Sequence, residues 1–225
     1  HDESLLLTYL KEVLQLEAVA CKDWLTNKVD RSVTGRVATQ QTIGEIQLPL
    51  NNVGVMALDF TGQKGIATSI GHAPVAALAN PEAGSRLAIA EALTNLIFVP
   101  IADGLKGISL SANWMWPAKN KGENDRLYRA VQEVSEFAIA LGVNIPTGKD
   151  SLSMTQKYPG GKVVYSPGTV IISAIGECSD IQKTVKTALI PQEGTRVLYL
   201  DFSKDAAKLV PGFVDDVLAR VKVTA

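Results

Sequence analysis

The feature that most constrains the fold is one long helix that is apolar on nearly every side. Asn80 is a suitable capping residue and Pro81 fits the first helical position, which predicts a helix over residues 82–98. Within residues 87–102 the only formal charge is Glu91. A carboxylate without a partner in such surroundings would cost several kcal/mol or take up a proton. Glu91 therefore needs a cationic side chain, a metal ion or access to solvent.

Asn95 lies four residues after Glu91, so both side chains leave the same face of the helix one turn apart. A carboxylate and an amide oxygen together form an acceptable set of ligands for Mg²⁺. Two alternatives stay open on this local pattern: a structural Lys or Arg that pairs with Glu91, or a helix end that faces water.

A second amphipathic helix is predicted over residues 125–141, with Gly142 as its C-terminal stop. The next stretch, N-I-P-T-G-K-D-S-L-S-M, contains Gly-Lys but is not a phosphate-binding P-loop, because Asp150 follows Lys149 where Ser or Thr is required. In an extended chain Lys149 and Ser151 point to one side and Asp150 to the other. We expect this loop to hold a phosphate or a ribose.

A further candidate anion site is D-R-S-V-T-G, residues 30–35, where Asp30 and Arg31 precede two hydroxyls and a glycine. Such clusters are also typical of plain surface turns. Lys22 is a candidate phosphate contact, although an ordinary surface lysine explains it better on the local pattern. The pattern around His72, G-H-A-P, indicates a turn, and no nucleophile elbow or dinucleotide fingerprint occurs in the sequence.

Composition excludes several classes of function. The 22 basic and 23 acidic residues give a net charge of -1, which predicts neither a nucleic-acid partner nor an acidic membrane surface. The two cysteines, Cys21 and Cys178, lie far apart and are expected to be free thiols in a reducing, cytoplasmic compartment. The mixed order of helices and strands predicts an α+β fold.

Five stretches in sequence order resemble one family: D-R-S-V-T-G, S-I-G-H-A-P-V-A, S-R-L-A-I-A-E-A-L-T-N, L-S-A-N-W-M and I-P-T-G-K-D-S-L-S-M. The family is that of the large, single-chain formylglycinamide ribonucleotide amidotransferases, or phosphoribosylformylglycinamidine synthases, of purine biosynthesis. The chain is similar to the second of their two halves that are like aminoimidazole ribonucleotide synthetase. The resemblance implies an N-terminal subdomain over residues 1–190, whose mixed sheet forms half of a barrel flanked by helices. Residues 191–225 would open an α/β C-terminal subdomain.

The resemblance also implies a reaction and its ligands. ATP phosphorylates the formyl amide oxygen of formylglycinamide ribonucleotide, and ammonia from glutamine displaces the phosphate to give the amidine. In many members the second half holds an auxiliary ADP with Mg²⁺. The family match assigns the nucleotide to Lys22 and Asn51, and the metal to Glu91, Asn95 and Asn52. The residues expected at the substrate are Asp30, Arg31, Lys149, Asp150 and Ser151.

The sequence departs from the family at Asn52, where relatives carry an aspartate that binds the metal. An amide oxygen still coordinates Mg²⁺, but the missing charge predicts a weaker site. The expected partners are the ribonucleotide substrate and the remaining domains of the same polypeptide, including the first half and the glutaminase domain. Self-association is expected as well, because a barrel cut in half exposes strand edges. The alternatives are a scaffold whose nucleotide is not turned over, or a stand-alone synthetase or kinase of the same superfamily.

Overall fold

The structure is a computed structural model that describes residues 3–16, 19–21 and 35–198. Lys22, Asp30 and Arg31 lie outside these residues, as do the last 27 positions, 199–225, of the expected second subdomain. In the described part, no helix is both long and apolar enough to cross a membrane.

Within residues 3–16, 19–21 and 35–198, eight strands form a large sheet and a small one. The bounds of the strands are β1 Val37–Thr39, β2 Val53–Ala57, β3 Gly65–His72, β4 Ile108–Met115, β5 Asn144–Ser151, β6 Thr155–Lys157, β7 Val163–Tyr165 and β8 Thr169–Cys178. The large sheet has the order β1-β2-β3-β8-β4-β5, and β6 pairs only with β7. All neighbours in the large sheet are antiparallel except β4 and β5, which are parallel. The sheet is mixed, and the predicted α+β class is confirmed.

The described residues contain four α-helices, and short 3-10 turns precede α1 and β4. The bounds of these helices are α1 Leu6–Gln15, α2 Pro74–Ala79, α3 Pro81–Leu96 and α4 Glu123–Leu141. The long apolar helix predicted from sequence is α3, and its cap is confirmed because the Asn80 side chain accepts a hydrogen bond from Ala83 N at 2.8 Å. Gly142 ends α4 in the left-handed conformation, with φ of 70°, as its position predicted.

Helix α3 lies at the centre of the molecule. One side packs on β3 and β8 and another on α4 and α2, which explains why residues on several of its sides are apolar. Its small residues allow this close packing: Ser69 Oγ on β3 donates to Ala92 O at 2.6 Å, and a Cβ on Gly84 would lie 2.5 Å from the backbone of Ala77 in α2. An ion pair between Arg86 and Glu133 links α3 to α4.

The helices cover one face of the large sheet and leave the other face open. Along β3, buried and exposed residues alternate strictly, and the same alternation runs along most of β8. The outward positions include several large apolar side chains, and among them Ile70 is 57% and Ile175 45% exposed. We call the side with Met56, Ile66, Ile70 and Ile175 the open face.

Three expectations from sequence are wrong in detail. The I-P-T-G-K-D-S stretch is not a loop but edge strand β5, because the backbone after Gly142 pairs with β4. His72 does not occupy a turn; it is the last residue of β3, and the turn-like Pro74 instead starts the short helix α2. The sequence from Lys106 to Ala112 is strand-like and predicts a strand there, but β4 begins two residues later, after a 3-10 turn over Gly104–Gly107.

Candidate functional site

A cleft of about 790 Å³ crosses the open face and holds several of the predicted site residues. Its floor is formed by outward residues of β2, β3, β8 and β4, and β5 forms its far wall. Because Val53 pairs with Ser69, the residues just before β2 lie beside the end of β3, near the C-terminal turns of α3. The cleft residues that the sequence predicted are Asn51, Asn52, Glu91 and Asn95.

The carboxylate of Glu91 faces this cleft rather than the apolar core. Its side chain is 46% exposed, and Oε2 accepts a hydrogen bond from the backbone N–H of His72 at 2.6 Å. Among the described residues, the basic side chain within 4 Å of this carboxylate is the imidazole of His72, with Nδ1 3.9 Å from Oε2. The carboxylate is therefore exposed to solvent in the cleft instead of being buried, and its Oε1 atom is available to a ligand.

Asn95 and Asn52 meet beside Glu91. Asn95 Nδ2 donates to Ile70 O at 3.0 Å, which turns Asn95 Oδ1 toward the cleft. Asn52 Nδ2 donates a hydrogen bond to that oxygen at 3.4 Å. A hard cation could take oxygens from the carboxylate and from both amides only if this bond broke and the Asn52 amide turned, with its other ligands coming from water or phosphate. This set of residues carries a single negative charge, so it suits Mg²⁺ best when the phosphates of a ligand supply further negative charge.

Asn51 lines the cleft, but its side chain is already engaged. Nδ2 donates to Gln40 O at 2.7 Å, and Oδ1 accepts from Thr187 Oγ1 at 2.9 Å. These bonds fasten residues 40 and 187 to the start of β2. The backbone N–H of Asn51 is engaged as well, because it donates to Gln41 O at 3.1 Å. A nucleotide role for Asn51 stays a prediction.

Lys149 and Asp150 line a second, shallower cleft of about 350 Å³ next to the first. Lys149 Nζ donates to Ser151 Oγ at 2.6 Å, so these two side chains share one side of β5 as the alternation predicted. The two clefts share Pro146 and Thr147 as lining residues. The structure thus places the substrate candidates of β5 beside the metal candidates, not among them.

Two cleft features escaped the sequence analysis. His72 approaches Glu91, and a row of hydroxyls from Thr68, Ser173, Ser109 and Ser111 crosses the floor. The period-two spacing of Ser109 and Ser111 in L-S-A-N-W-M was an available signal. The register that brings the other strands alongside was not readable from the sequence.

Cys178 offers no nucleophile to this site. It is fully buried at the end of β8, and burial raises the pKa of its thiol. Both cysteines are free thiols as expected, with Cys178 buried and Cys21 exposed. A thiol held protonated in the core is unreactive.

Comparison with known proteins connects this architecture to one group. Residues 21–177 match the family model described as the FGAR-AT PurM_N-like domain. The chain is 46% identical over 201 residues to human phosphoribosylformylglycinamidine synthase, and 44% identical over 205 residues to the probable chloroplastic/mitochondrial enzyme of that name from Arabidopsis thaliana. These matches cover 89% and 91% of the chain. The chain spans only 15% and 14% of the two relatives.

Solved structures share the fold at lower identity. PurL from Thermotoga maritima, complexed with AMPPCP, superposes with a TM-score of 0.52 at 20% identity, over 78% of this chain and 27% of that one. PurLQS from Thermotoga maritima also gives a TM-score of 0.52 at 20% identity, over 76% of this chain and 26% of its own.

Proposed function

The chain belongs to the FGAR-AT PurM_N-like domain family, and from this membership we propose that it is part of a phosphoribosylformylglycinamidine synthase. In that role it belongs to an ATP- and glutamine-dependent ligase that converts formylglycinamide ribonucleotide to the amidine. The single observation that carries the proposal is the convergence of Glu91, Asn95 and Asn52 in one cleft. The family resemblance had assigned these three residues to the metal.

In this proposal the open-face cleft binds ATP or ADP with Mg²⁺. The cation is held by Glu91, Asn95 and Asn52, and it neutralises the negative charge of the phosphates. Phosphoryl transfer depends mainly on positioning and on such charge neutralisation, so the reaction needs no covalent step on a side chain of the cleft. The hydroxyls of Ser109 and Ser111 are available to the sugar or the phosphates.

The second cleft is proposed to bind the ribonucleotide substrate. Lys149 supplies a cation and Ser151 a hydroxyl, and the 2.6 Å bond between them holds both toward one ligand. Asp150, on the opposite side of β5, and the residues Asp30 and Arg31 outside the described part complete the proposed set. Lys22 stays a proposed nucleotide contact on the same terms.

The proposed partners follow from the open face and from the short span of the chain. Apolar side chains such as Ile70 and Ile175 are exposed on the open face. An exposed apolar surface of this kind is typical of a protein interface. The relatives are several times longer than this chain, so we propose that another domain of the same polypeptide, the first synthetase-like half, covers this face. For the chain alone we propose that a second copy does so. The proposed compartment is the cytoplasm.

A second candidate is a scaffold that binds a nucleotide without turning it over. The observation that favours it is that Glu91 is the single carboxylate among the described residues of the cleft, because Asn52 contributes no charge. Under this alternative, loss of Glu91 lowers stability but not turnover at the other half.

The test of the leading proposal is complementation of a purine-requiring strain by the complete gene that encodes the chain. Growth without added purine is expected from the unaltered gene, and Lys149→Ala is expected to slow it strongly because the substrate phosphate loses its cation. Lys162→Ala, which removes another exposed lysine of the same region, is the matched control. Unaltered growth of Lys149→Ala would remove β5 from the substrate site. Failure of the unaltered gene would refute the proposed reaction.

A further inference from the structure

The open face carries one buried polar atom that the fold does not satisfy. Asn113 is an outward residue of β4, in line with Ser109 and Ser111. Its Oδ1 atom is buried and has no hydrogen-bond partner among the described residues. Of the five side-chain atoms of this kind in the part of the chain that the structure describes, it is the one that belongs to a strand of the large sheet. Buried side-chain oxygens are nearly always hydrogen-bonded in folded proteins, so this exception calls for an explanation.

The strand register places this amide between the two proposed ligand sites. Asn113 pairs with Lys149 of the edge strand β5 on one side and with Ile171 of β8 on the other. Ile171 in turn pairs with His72, the last residue of β3. Paired residues point to the same face of a sheet, so these four side chains form one row across the open face. Lys149 stands at the substrate end of the row, and His72, beside Glu91, stands at the metal end.

The spacing along this row fits a ribonucleotide. Lys149 Nζ donates to Ser151 Oγ at 2.6 Å, so the proposed phosphate contact lies one strand away from Asn113 and two residues further along. With strands about 4.8 Å apart and a rise of about 3.3 Å per residue, that separation is about 8 Å. In the proposed substrate a ribose lies between the phosphate and the first amide, and it spans a comparable distance. A phosphate bound at Ser151 therefore brings the amide next to the ribose over Asn113.

An asparagine suits this group because two amides complement each other. The Oδ1 atom accepts a hydrogen bond from an amide N–H, and the NH₂ group of the side chain donates to an amide oxygen. Access to Oδ1 requires a neighbouring side chain to move, and the flexible neighbour in the row is Lys149, which is exposed. A phosphate that binds Lys149 Nζ competes with the bond from Lys149 to Ser151. Substrate binding itself therefore moves this lysine side chain.

We propose that Asn113 binds the ribonucleotide substrate, with Oδ1 accepting a hydrogen bond from the amide N–H that adjoins the ribose. The inference rests on the proposed substrate site of β5. It adds to that site a residue of the neighbouring strand, and it explains the unsatisfied oxygen as a group kept free for the ligand.

The unpaired oxygen allows a binding role to be separated from a structural one. Removal of a buried oxygen that has no partner does not weaken the fold, whereas removal of a hydrogen-bond partner of the substrate weakens binding. The complete enzyme encoded by the gene is prepared with Asn113→Leu, which has nearly the same shape, and with Asn113→Ala. Formation of the amidine is measured while formylglycinamide ribonucleotide, ATP and glutamine are varied in turn. Urea unfolding of the 225-residue chain with the same substitutions measures stability.

Asn120→Leu is the matched control, because Asn120 is an asparagine shortly after β4 whose amide is used by the fold. Its Nδ2 atom donates to Pro117 O at 2.9 Å and to Thr155 Oγ1 at 3.0 Å. Asn120→Leu is expected to lower the urea midpoint and to leave the KM for the ribonucleotide unchanged. This is the opposite of the pattern expected for Asn113.

Asn113→Leu is expected to raise the KM for the ribonucleotide at least about tenfold, because an amide N–H buried without a partner costs about that much in affinity. The KM values for ATP and for glutamine are expected to change by less than about twofold, since neither of these substrates loses a contact that it makes in binding. The urea midpoint of Asn113→Leu is expected to equal or exceed that of the unaltered chain.

Several results would overturn the inference, and they differ from a failure of the proposed function. An unchanged KM for the ribonucleotide in Asn113→Leu, together with a raised KM in Lys149→Ala, removes Asn113 from a substrate site that stands. A raised KM for ATP alone assigns Asn113 to the nucleotide. A lower urea midpoint in both Asn113 variants shows that the fold uses the amide, and it refutes the inference as well. An unaltered enzyme that forms no amidine from the ribonucleotide refutes the proposed function and the inference with it.

Discussion

The contact between β3 and α3 at Gly71 provides the sharpest test of the packing that builds the cleft. In Gly71→Ala the new methyl group would lie 2.2 Å from Ala88 O and 2.3 Å from Ala92 N. Both atoms belong to the backbone of a buried helix, so no side-chain rotation relieves the clash. Either the strand or the helix has to move.

The expected cost has two parts. Overpacking of this kind typically costs about 1–3 kcal/mol. Separation of β3 from α3 also lengthens two bonds of 2.6 Å, from Ser69 Oγ to Ala92 O and from His72 N to Glu91 Oε2. Each such bond contributes about 1 kcal/mol net. The free energy of unfolding is expected to fall by about 3–5 kcal/mol, a large share of the roughly 5–15 kcal/mol typical of a domain.

The assay is urea unfolding of the chain and its variants, followed by circular dichroism. Gly54→Ala is the matched control, because Gly54 lies in the neighbouring strand β2 and its added Cβ would meet only Thr68 Oγ1 at 3.5 Å, an ordinary contact. We expect Gly54→Ala to be neutral or slightly stabilising. If the two variants differ by less than about 1 kcal/mol, β3 and α3 do not touch as described and the clash argument is wrong.

Two further predictions concern the hairpin between β2 and β3 and the open face. The backbone N–H groups of Gly62 and Thr61 donate hydrogen bonds to the Asp59 carboxylate and lower the pKa of this group. Because the pKa is lower in the folded state, the stabilisation is present above the unfolded pKa of about 4. It is lost as the pH falls through the pKa of the folded state. Asp59→Asn should therefore remove part of the acid dependence of urea unfolding, and an unchanged pH profile would contradict this. In sedimentation velocity, the chain should associate as its concentration rises. Ile175→Lys on the open face should suppress this association, whereas Ile139→Lys, on the outer side of α4, should not. A monomer at every concentration would exclude self-association.

The parts of the fold that the sequence predicted are those with a local cause. Helix α3 begins where Asn80 caps it and Pro81 starts it, and α4 ends where Gly142 takes up a left-handed conformation. These signals lie within a turn or two of the feature they determine. Strand β5 was predicted as a loop because its sequence, with Pro146 and Gly148, has low strand propensity. Its strand character comes from pairing with β4, a non-local cause.

The same distinction explains the candidate site. The spacing of Glu91 and Asn95 on one helical face was readable, and both do face the cleft. The approach of His72 to Glu91 was not, because it depends on how β3 is placed against α3, through Gly71. Family resemblance supplied Asn52, which no local pattern singled out.

The open face and the cleft are one surface, and this links ligand binding to docking. Thr68, Ile70 and Ser173 form the floor of the cleft and also lie on the face that has no cover in the described chain. A domain or second copy that covers the face therefore also encloses the cleft. Enclosure expels water and strengthens every charge interaction inside it, including that of the half-exposed Glu91 with a cation. Linkage requires the reverse as well: a nucleotide with its cation must strengthen docking by the same factor. The sedimentation series repeated with ADP and Mg²⁺ measures this coupling, and association unaffected by saturating nucleotide would mean that the partner covers the sheet without closing the cleft.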